Sequence, residues 1–298
     1  LLNARVLGQD SALATPYRGR LFWIWGDTSG PGHLLKANFR TTAARSDFPA
    51  SGGLDPEVGV NLHYIEKDGF TKPMVPLGGR IYWLTSLFTV PDDVGNEVLL
   101  AHYGQIEPPM KTVRKGLIRF SDEKEEFELV HEIFLDAPIQ PAGQRLPVNG
   151  GGEEYLIFPH GTHFTRVRPT LKAVSDLSQW EAFTCLKEGR RFELSAEALD
   201  RTPDGRLRFS WKKNTPPVGA KEFDELTSAG LVDDGARLFA FTDIVTGKRI
   251  LQHGATITWN AYRNRWIMIF SELFGTSVLG EVWYAEADAP TGPWVYSR

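Results

Sequence analysis

Four times along this chain, a turn leads into a short segment dense in aromatic and β-branched residues. These segments are Leu21–Trp25, Ile81–Phe88, Tyr155–Phe158 and Arg265–Phe270. Such side chains favour the pleated, half-buried surface of a β-sheet. Further strand-like segments accompany each one, and the groups recur at a spacing of roughly 60 to 90 residues. This pattern indicates small antiparallel sheets repeated along the chain, which is the organisation of a β-propeller.

The residue content agrees with many short strands joined by turns. The 298 residues include 29 Gly, 19 Pro, 9 Trp, 18 Phe and 8 Tyr, a combination typical of all-β proteins. A β-sandwich would have more evenly spaced strands and fewer long insertions. We therefore predict a single all-β propeller domain over residues 1–298. Its region near 190–248 is predicted to be a partly helical insertion, with short helices at Ser195–Leu199 and Lys221–Ala229.

Charge and cysteine content exclude several classes of function. The formal net charge is −4 and no basic run is present, which argues against a nucleic-acid partner. The single cysteine, Cys185, rules out an intrachain disulfide and a cysteine zinc site, and we expect it to be buried. No segment has the roughly 18 consecutive apolar residues of a membrane span. Because the chain begins with Leu1, an export signal could have been removed, and an extracytoplasmic (periplasmic or secreted) location is favoured.

The sequence contains no motif for a cofactor. No serine triad, phosphate-binding loop or dinucleotide fingerprint is visible, and the run Gly150–Gly152 lacks the strand-to-helix context that such loops need. His160 and His163 are three residues apart without a nearby cysteine or a third ligand, so we predict no metal site there. We expect no cofactor, although a structural cation in a central channel is possible.

The first aromatic segment belongs to a hairpin that carries two aspartates. Its two strands meet at the turn Tyr17–Arg20, with Asp10 near the start of the first strand and Asp27 at the end of the second. Although 17 residues separate them, both carboxylates can reach one end of a sheet. An aspartate between glycine and threonine is also ordinary turn chemistry. However, none of the other aromatic strands ends in Gly-Asp-Thr, which favours a functional role for this pair.

Two stretches resemble the five-bladed β-propeller glycoside hydrolases, the group that includes the family 43-like enzymes and the endo-D-arabinanases. The fourth group reads HGATITWNAYRNRWIMIF and then LGEVWYAEADAPTGPW, and the first combines Asp10 with an aromatic strand ending in Gly26-Asp27-Thr28. The resemblance implies five blades and a glycosidase activity. Four groups precede Arg298, so we expect an incomplete propeller that lacks one blade at the C-terminus. The Glu-Gly-Pro run that often carries the general acid in family 43 is absent.

Glycoside hydrolysis requires two carboxyl groups that flank the scissile bond. A like-charged neighbour raises the pKa of one of them and makes it an acid near neutral pH. We predict Asp10 as the base or nucleophile and Asp27 as the acid. Glu272 and Glu281, at strand ends of the fourth group, are alternative candidates for the second carboxyl. The simpler explanation of Glu281 is a strand-edge residue paired with an arginine.

Candidate substrate-binding residues combine aromatic rings with polar groups, because sugar faces stack on rings while hydroxyls seek hydrogen-bond partners. We predict such contacts for Trp25, Tyr64, His253, Trp259 and Arg166. The simpler explanations are packing between blades for the tryptophans, a core histidine for His253 and a surface arginine for Arg166.

The leading hypothesis is an extracytoplasmic glycosidase that degrades a polysaccharide or oligosaccharide and so serves carbohydrate metabolism. The first alternative is a propeller that binds carbohydrate without a working pair of carboxyls. The second alternative is a scaffold propeller that binds another protein. Under the first hypothesis, replacing Asp10 or Asp27 by asparagine abolishes turnover and leaves the fold intact.

Overall fold

The computed structural model describes residues 3–31, 40–55, 57, 59–78, 81–146, 154–273, 275–276 and 280–297. Its contacts group the chain into two compact units. The first comprises Leu1–Ala137 and Thr170–Ser175, and the second comprises Pro138–Pro169 and Asp176–Arg298. Each unit contains two antiparallel sheets of four or five strands. No helix in the described part of the chain is long and apolar enough to cross a membrane. The single domain expected for residues 1–298 stays a prediction.

The first sheet begins with the predicted hairpin. The strands up to residue 71 are β1 (Gly8–Gln9), β2 (Leu13–Tyr17), β3 (Arg20–Ser29), β4 (Arg40–Ser46), β5 (Leu54–Asp55), β6 (Gly59–Val60), β7 (His63–Tyr64), β8 (Glu66–Lys67) and β9 (Phe70–Thr71). The sheet has the order β1-β3-β4-β7, and β2 pairs with β3 further along. Arg18 and Gly19 join β2 to β3 with φ angles of 49° and 74°, the geometry that matches the twist of a tight hairpin.

The second sheet holds the longest strands of the first unit. Its members are β10 (Ile81–Leu84), β11 (Phe88–Pro91), β12 (Glu97–Glu107), β13 (Lys111–Ser121) and β14 (Glu126–Ile133). The order is β10-β12-β13-β14, with β11 also paired to β12. The single strand expected over residues 81–88 is therefore two strands. Phe22 and Ile24 of β3 pack against Phe120 and Phe127 of this sheet in one buried cluster, which joins the two sheets.

The second unit holds the other two sheets. Its strands are β15 (Leu156–His160), β16 (His163–Val167), β17 (Glu181–Thr184), β18 (Ser210–Lys213), β19 (Gln252–Asn260), β20 (Arg265–Glu272), β21 (Val282–Ala287) and β22 (Val295–Ser297). The third sheet has the order β15-β16-β17-β18 and the fourth β19-β20-β21-β22. In each of these two sheets, neighbours in the sequence are neighbours in space. This meander is the topology of a propeller blade.

Helices are few and short. The α-helices are α1 (Leu171–Val174) and α2 (Ala220–Ser228), and 3-10 helices lie at Asn3–Arg5, Pro49–Ser51, Leu177–Gln179, Ala196–Ala198 and Asp234–Ala236. The segments at 196–198 and 220–228 match the two helices predicted for the partly helical region. The all-β class and the four strand groups are also confirmed. The predicted turn at Gly150–Gly152 lies outside the described residues.

The sequence analysis wrongly placed the end of the third sheet at residue 186. Strand β18, within the predicted insertion, completes this sheet by pairing with β17. Its sequence, Ser-Trp-Lys-Lys, hides the strand because a lysine fills a core position. Lys212 is buried, and its ammonium pairs with Asp200 at 2.8 Å and donates to the carbonyl of Leu186. A buried charge of this kind needs such partners, and none of them can be recognised from the strand itself.

Close packing against β13 makes Gly116 a required glycine. A Cβ at Gly116 would meet Tyr103 Cε1 at 2.8 Å and would overlap the carbonyl oxygen of His131. We expect Gly116→Ala to lower the free energy of unfolding by about 1 to 3 kcal/mol, as overpacked cores do. Gly104→Ala on β12 is the matched control, because its Cβ would have no neighbour closer than 3.7 Å. Denaturant unfolding of both variants checks this, and equal stabilities would contradict it.

Candidate carboxylate sites

Asp10 lies where the pairing of β3 with its neighbours is interrupted. Residues 10–12 separate β1 from β2, and the register between β3 and β4 shifts between Trp25 and Thr28. The Asp10 carbonyl accepts the Gly26 N–H at 3.0 Å, and its Oδ1 accepts the Asp27 N–H at 2.9 Å. The Asp10 carboxylate thus supplies an acceptor that the broken ladder lacks. A Cβ at Gly26 would lie 2.8 Å from this Oδ1, so glycine leaves room for the carboxylate.

The structure brings Asp27 next to Asp10, as predicted from the hairpin. The Asp27 side chain is partly buried, and its Oδ1 accepts the Trp83 Nε1–H at 3.2 Å. Burial raises the pKa of Asp27, the hydrogen bond from Trp83 opposes that rise, and the nearby charge of Asp10 adds to it. Asp10 itself is exposed. Two neighbouring carboxyls in unlike environments have the arrangement that separates an acid from a base.

A polar network lies beside this pair. Tyr64 Oη donates to Gln9 Oε1 at 2.7 Å, and Gln9 Nε2 donates to Thr42 Oγ1 at 3.2 Å. Burial raises the pKa of Tyr64, which keeps it a neutral donor. Trp25 is 8% exposed, with its ring centroid 6.1 Å from Trp23 and 5.5 Å from Tyr64. The structure therefore gives Trp25 a packing position, and sugar contacts of Trp25 and Tyr64 stay predictions.

Glu272 and Glu281 form a second carboxylate pair, within the second unit. Trp283 Nε1 donates to Glu272 Oε2 at 3.0 Å, and the Thr276 N–H lies 3.2 Å from both oxygens of Glu281. The hydroxyl and the backbone N–H of Thr276 lower the pKa of Glu281. The partner of Glu281 is thus Thr276 instead of the arginine that the simpler explanation expects. Both glutamates line an open cavity of about 540 Å³.

The other predicted substrate residues have unlike surroundings. His253 is exposed at the point where β19 shifts its pairing with β20. Trp259 is partly buried and packs edge-on against Trp266 at 5.7 Å. Arg166 donates to Glu181 at 2.6 Å. Its guanidinium also lies 3.9 Å from the ring centre of Tyr155 and 4.6 Å from that of Trp211. These contacts give Arg166 a structural role in the third sheet.

Trp83 is the functional candidate that sequence reasoning overlooked as a partner of Asp27. A signal was present, because Arg20-Leu21-Phe22-Trp23 and Arg80-Ile81-Tyr82-Trp83 follow the same pattern. In the first sheet Trp23 Nε1 donates to Ser46 at 2.8 Å. In the second sheet the equivalent tryptophan donates to Asp27. The repeated pattern thus indicated that Trp83 is an indole donor at the same strand position.

His160 and His163 face each other across the turn between β15 and β16. Burial lowers the pKa of His163, with a further contribution from His160. Among the residues that the structure describes, no group of three or more His, Cys, Asp or Glu side chains is placed to hold a metal ion. The absence of a metal and of a cofactor stays a prediction.

The sequence matches no protein-family model and no curated protein. Solved structures with a similar course of the chain are glycoside hydrolases, the class that the sequence resembles. The exo-β-1,3-galactanase of Phanerochaete chrysosporium is 9% identical with a TM-score of 0.45, over 98% of this chain and 50% of that one. The GH43_1 enzyme of Xanthomonas citri, complexed with xylotriose, is 12% identical with a TM-score of 0.44, over 97% and 73%.

The endo-arabinase of Bacteroides thetaiotaomicron is 10% identical with a TM-score of 0.37, over 91% of this chain and 72% of that one. The chain thus spans half the length of the galactanase and under three quarters of the other two. Likeness at this level does not transfer an activity from one protein to another. The activity must therefore be argued from the residues of this chain.

Proposed function

We propose that this protein is a glycoside hydrolase that cleaves a polysaccharide or oligosaccharide with Asp10 and Asp27 as its two carboxyl groups. The observation that supports this best is the contact between them, in which Asp10 Oδ1 accepts the Asp27 N–H at 2.9 Å. One carboxyl is exposed, and the other is partly buried with a raised pKa. Glycoside hydrolysis needs one carboxylate and one carboxylic acid in such a pair.

In the proposed reaction, Asp27 protonates the glycosidic oxygen as the bond between that oxygen and the anomeric carbon breaks. Asp10 acts on the anomeric carbon, either by removing a proton from the attacking water or as the nucleophile itself. In the second case, water then hydrolyses the glycosyl ester while Asp27 accepts its proton. The carboxyl groups and water are sufficient for both routes, so a cofactor is not required. The substrate is a carbohydrate, and an extracytoplasmic location suits a polysaccharide substrate.

A non-catalytic carbohydrate-binding protein is the second candidate, because Asp10 already has a structural task in the interrupted ladder of β3. Incubation with a panel of soluble polysaccharides separates the two. A hydrolase releases new reducing ends in proportion to time and enzyme concentration. A binding protein is retarded in gels that contain the polysaccharide and releases no reducing ends, and this outcome would overturn the proposal. Neither binding nor cleavage of any glycan would favour the scaffold alternative.

The structural and chemical tasks of Asp10 can be measured apart. Asp10→Asn retains an Oδ1 acceptor for the Asp27 N–H, whereas Asp10→Ala removes it. We expect both variants to lose turnover. Asp10→Ala should also lower the free energy of unfolding by about 1 kcal/mol relative to Asp10→Asn, the usual effect of losing one hydrogen bond. Reducing-end assays and denaturant unfolding check this, and retained turnover in Asp10→Asn would exclude Asp10 from the chemistry.

A further inference from the structure

The Asp27 carboxyl receives its hydrogen bond from another sheet. Trp83 belongs to β10 in the second sheet, whereas Asp27 belongs to β3 in the first. The Trp83 Nε1–H donates to Asp27 Oδ1 at 3.2 Å. An indole N–H is a donor only, so this contact has one possible direction. It leaves Oδ2 as the oxygen of Asp27 that can carry a proton without breaking the bond to Trp83.

The strands around Trp83 fix the position of its indole. Trp83 pairs with Gly104 of β12 in a regular antiparallel register, which includes Tyr82 opposite Gln105 and Leu84 opposite Tyr103. Gly104 has no side chain, so nothing opposite Trp83 competes for the space on that face of the sheet. The Trp83 ring is partly buried. The donor is therefore preorganised by backbone pairing instead of being recruited from a mobile side chain.

We propose that Trp83 is a positioning residue, which orients the Asp27 carboxyl so that Oδ2 delivers the proton to the glycosidic oxygen. This inference depends on the proposed function for its catalytic meaning, although the contact itself does not. Trp83 touches Asp27 and needs no contact with the substrate. Its role is to choose which oxygen is protonated and to stabilise the carboxylate that remains after proton transfer.

The hydrogen bond also affects how easily Asp27 gives up its proton. Burial and the charge of Asp10 favour the protonated form, and the Trp83 N–H favours the carboxylate. Within the described part of the chain, Asp10 is the charged group that acts on Asp27. Removing the indole donor therefore leaves the two effects that raise the pKa without the one that opposes them.

Trp83→Phe removes the donor and keeps an aromatic ring. Trp23→Phe is the matched control, because Trp23 holds the equivalent place in the first sheet and donates to Ser46 instead. The readout is the Asp27 carboxyl titration, followed by carbon-13 NMR in the full chain. We expect the pKa of Asp27 to rise by about one unit in Trp83→Phe, the size expected for losing a hydrogen bond to a charged group. It should not change in Trp23→Phe.

An unchanged Asp27 titration in folded Trp83→Phe would overturn the proposal. If that variant does not fold, the unmodified protein provides the test. The Trp83 Hε1 resonance should then titrate with the pKa of Asp27 and lose this transition in Asp27→Asn, and a resonance that does not respond would also overturn it. A shifted Asp27 pKa in a protein that hydrolyses no glycan would reject the proposed function and leave the Trp83 contact standing.

Discussion

Asp27→Asn is expected to lower the turnover of polysaccharide by about 100- to 10,000-fold, the usual contribution of a general acid. Asparagine keeps an oxygen that can accept the Trp83 N–H, but it has no acidic proton to donate. The same change should not destabilise the protein. A carboxyl whose pKa is raised by folding binds its proton more tightly when folded. Its ionised form therefore opposes folding at pH values above that raised pKa.

The two readouts of Asp27→Asn are initial rates of reducing-end release and thermal unfolding near neutral pH. The melting temperature should equal or exceed that of the unmodified protein, because the variant carries no charge at this partly buried position. Asp93→Asn, an exposed aspartate in the turn before β12, is the control and should change neither quantity. Loss of turnover together with a lowered melting temperature would indicate a structural role for Asp27 instead of a chemical one.

Acid should destabilise the first unit through His102, with the second large effect. His102 is 2% exposed on β12, and its Nδ1 lies 2.8 Å from Ser86 Oγ, which also accepts the His102 N–H at 3.0 Å. Burial lowers the pKa of His102 from 6.5 to about 3, and His131 contributes in the same direction. The unfolded chain therefore gains a proton in a pH range where the folded chain does not.

The sign follows from this difference in proton uptake. The contribution of neutral His102 to stability is complete above the unfolded pKa of 6.5 and is lost as the pH falls towards about 3. The loss is roughly 1.4 kcal/mol for each pH unit below 6.5. We expect His102→Asn, which retains an acceptor near Ser86, to show a flatter decline of unfolding free energy between about pH 6 and about pH 4. The exposed control His63→Asn should decline like the unmodified protein, and equal slopes for all three would contradict this account.

Much of the fold could be predicted because alternating aromatic strands and turns report directly on sheet formation. The hairpin of β2 and β3 followed from the turn at residues 17–20, and the fourth meander followed from its two strands around residues 260–264. Strand β18 was missed because Lys212 fills a core position and is stabilised by Asp200, twelve residues earlier. A pattern of apolar residues cannot reveal a strand whose inward side chain is charged.

The Asp10–Asp27 contact could be predicted because it depends on the register of a single hairpin. The surroundings that distinguish the two carboxyls could not, because they depend on packing between sheets. Trp83 is 56 residues from Asp27 in the chain, and its contact needs the first and second sheets to be assembled. The Glu272–Glu281 pair was predicted only as two alternatives, since Trp283 and Thr276 bind it through a local fold that periodicity does not describe.

The most direct test of the central claim is the time course of reducing-end release from the polysaccharide panel by four proteins. These are the unmodified protein, Asp10→Asn, Asp27→Asn and the double variant, each first shown to be folded by its circular dichroism. We predict linear release by the unmodified protein on at least one glycan. If the two carboxyls act as a unit, the double variant should be no slower than the slower single variant. Release that survives in the double variant at the unmodified rate would contradict the assignment of the chemistry to Asp10 and Asp27.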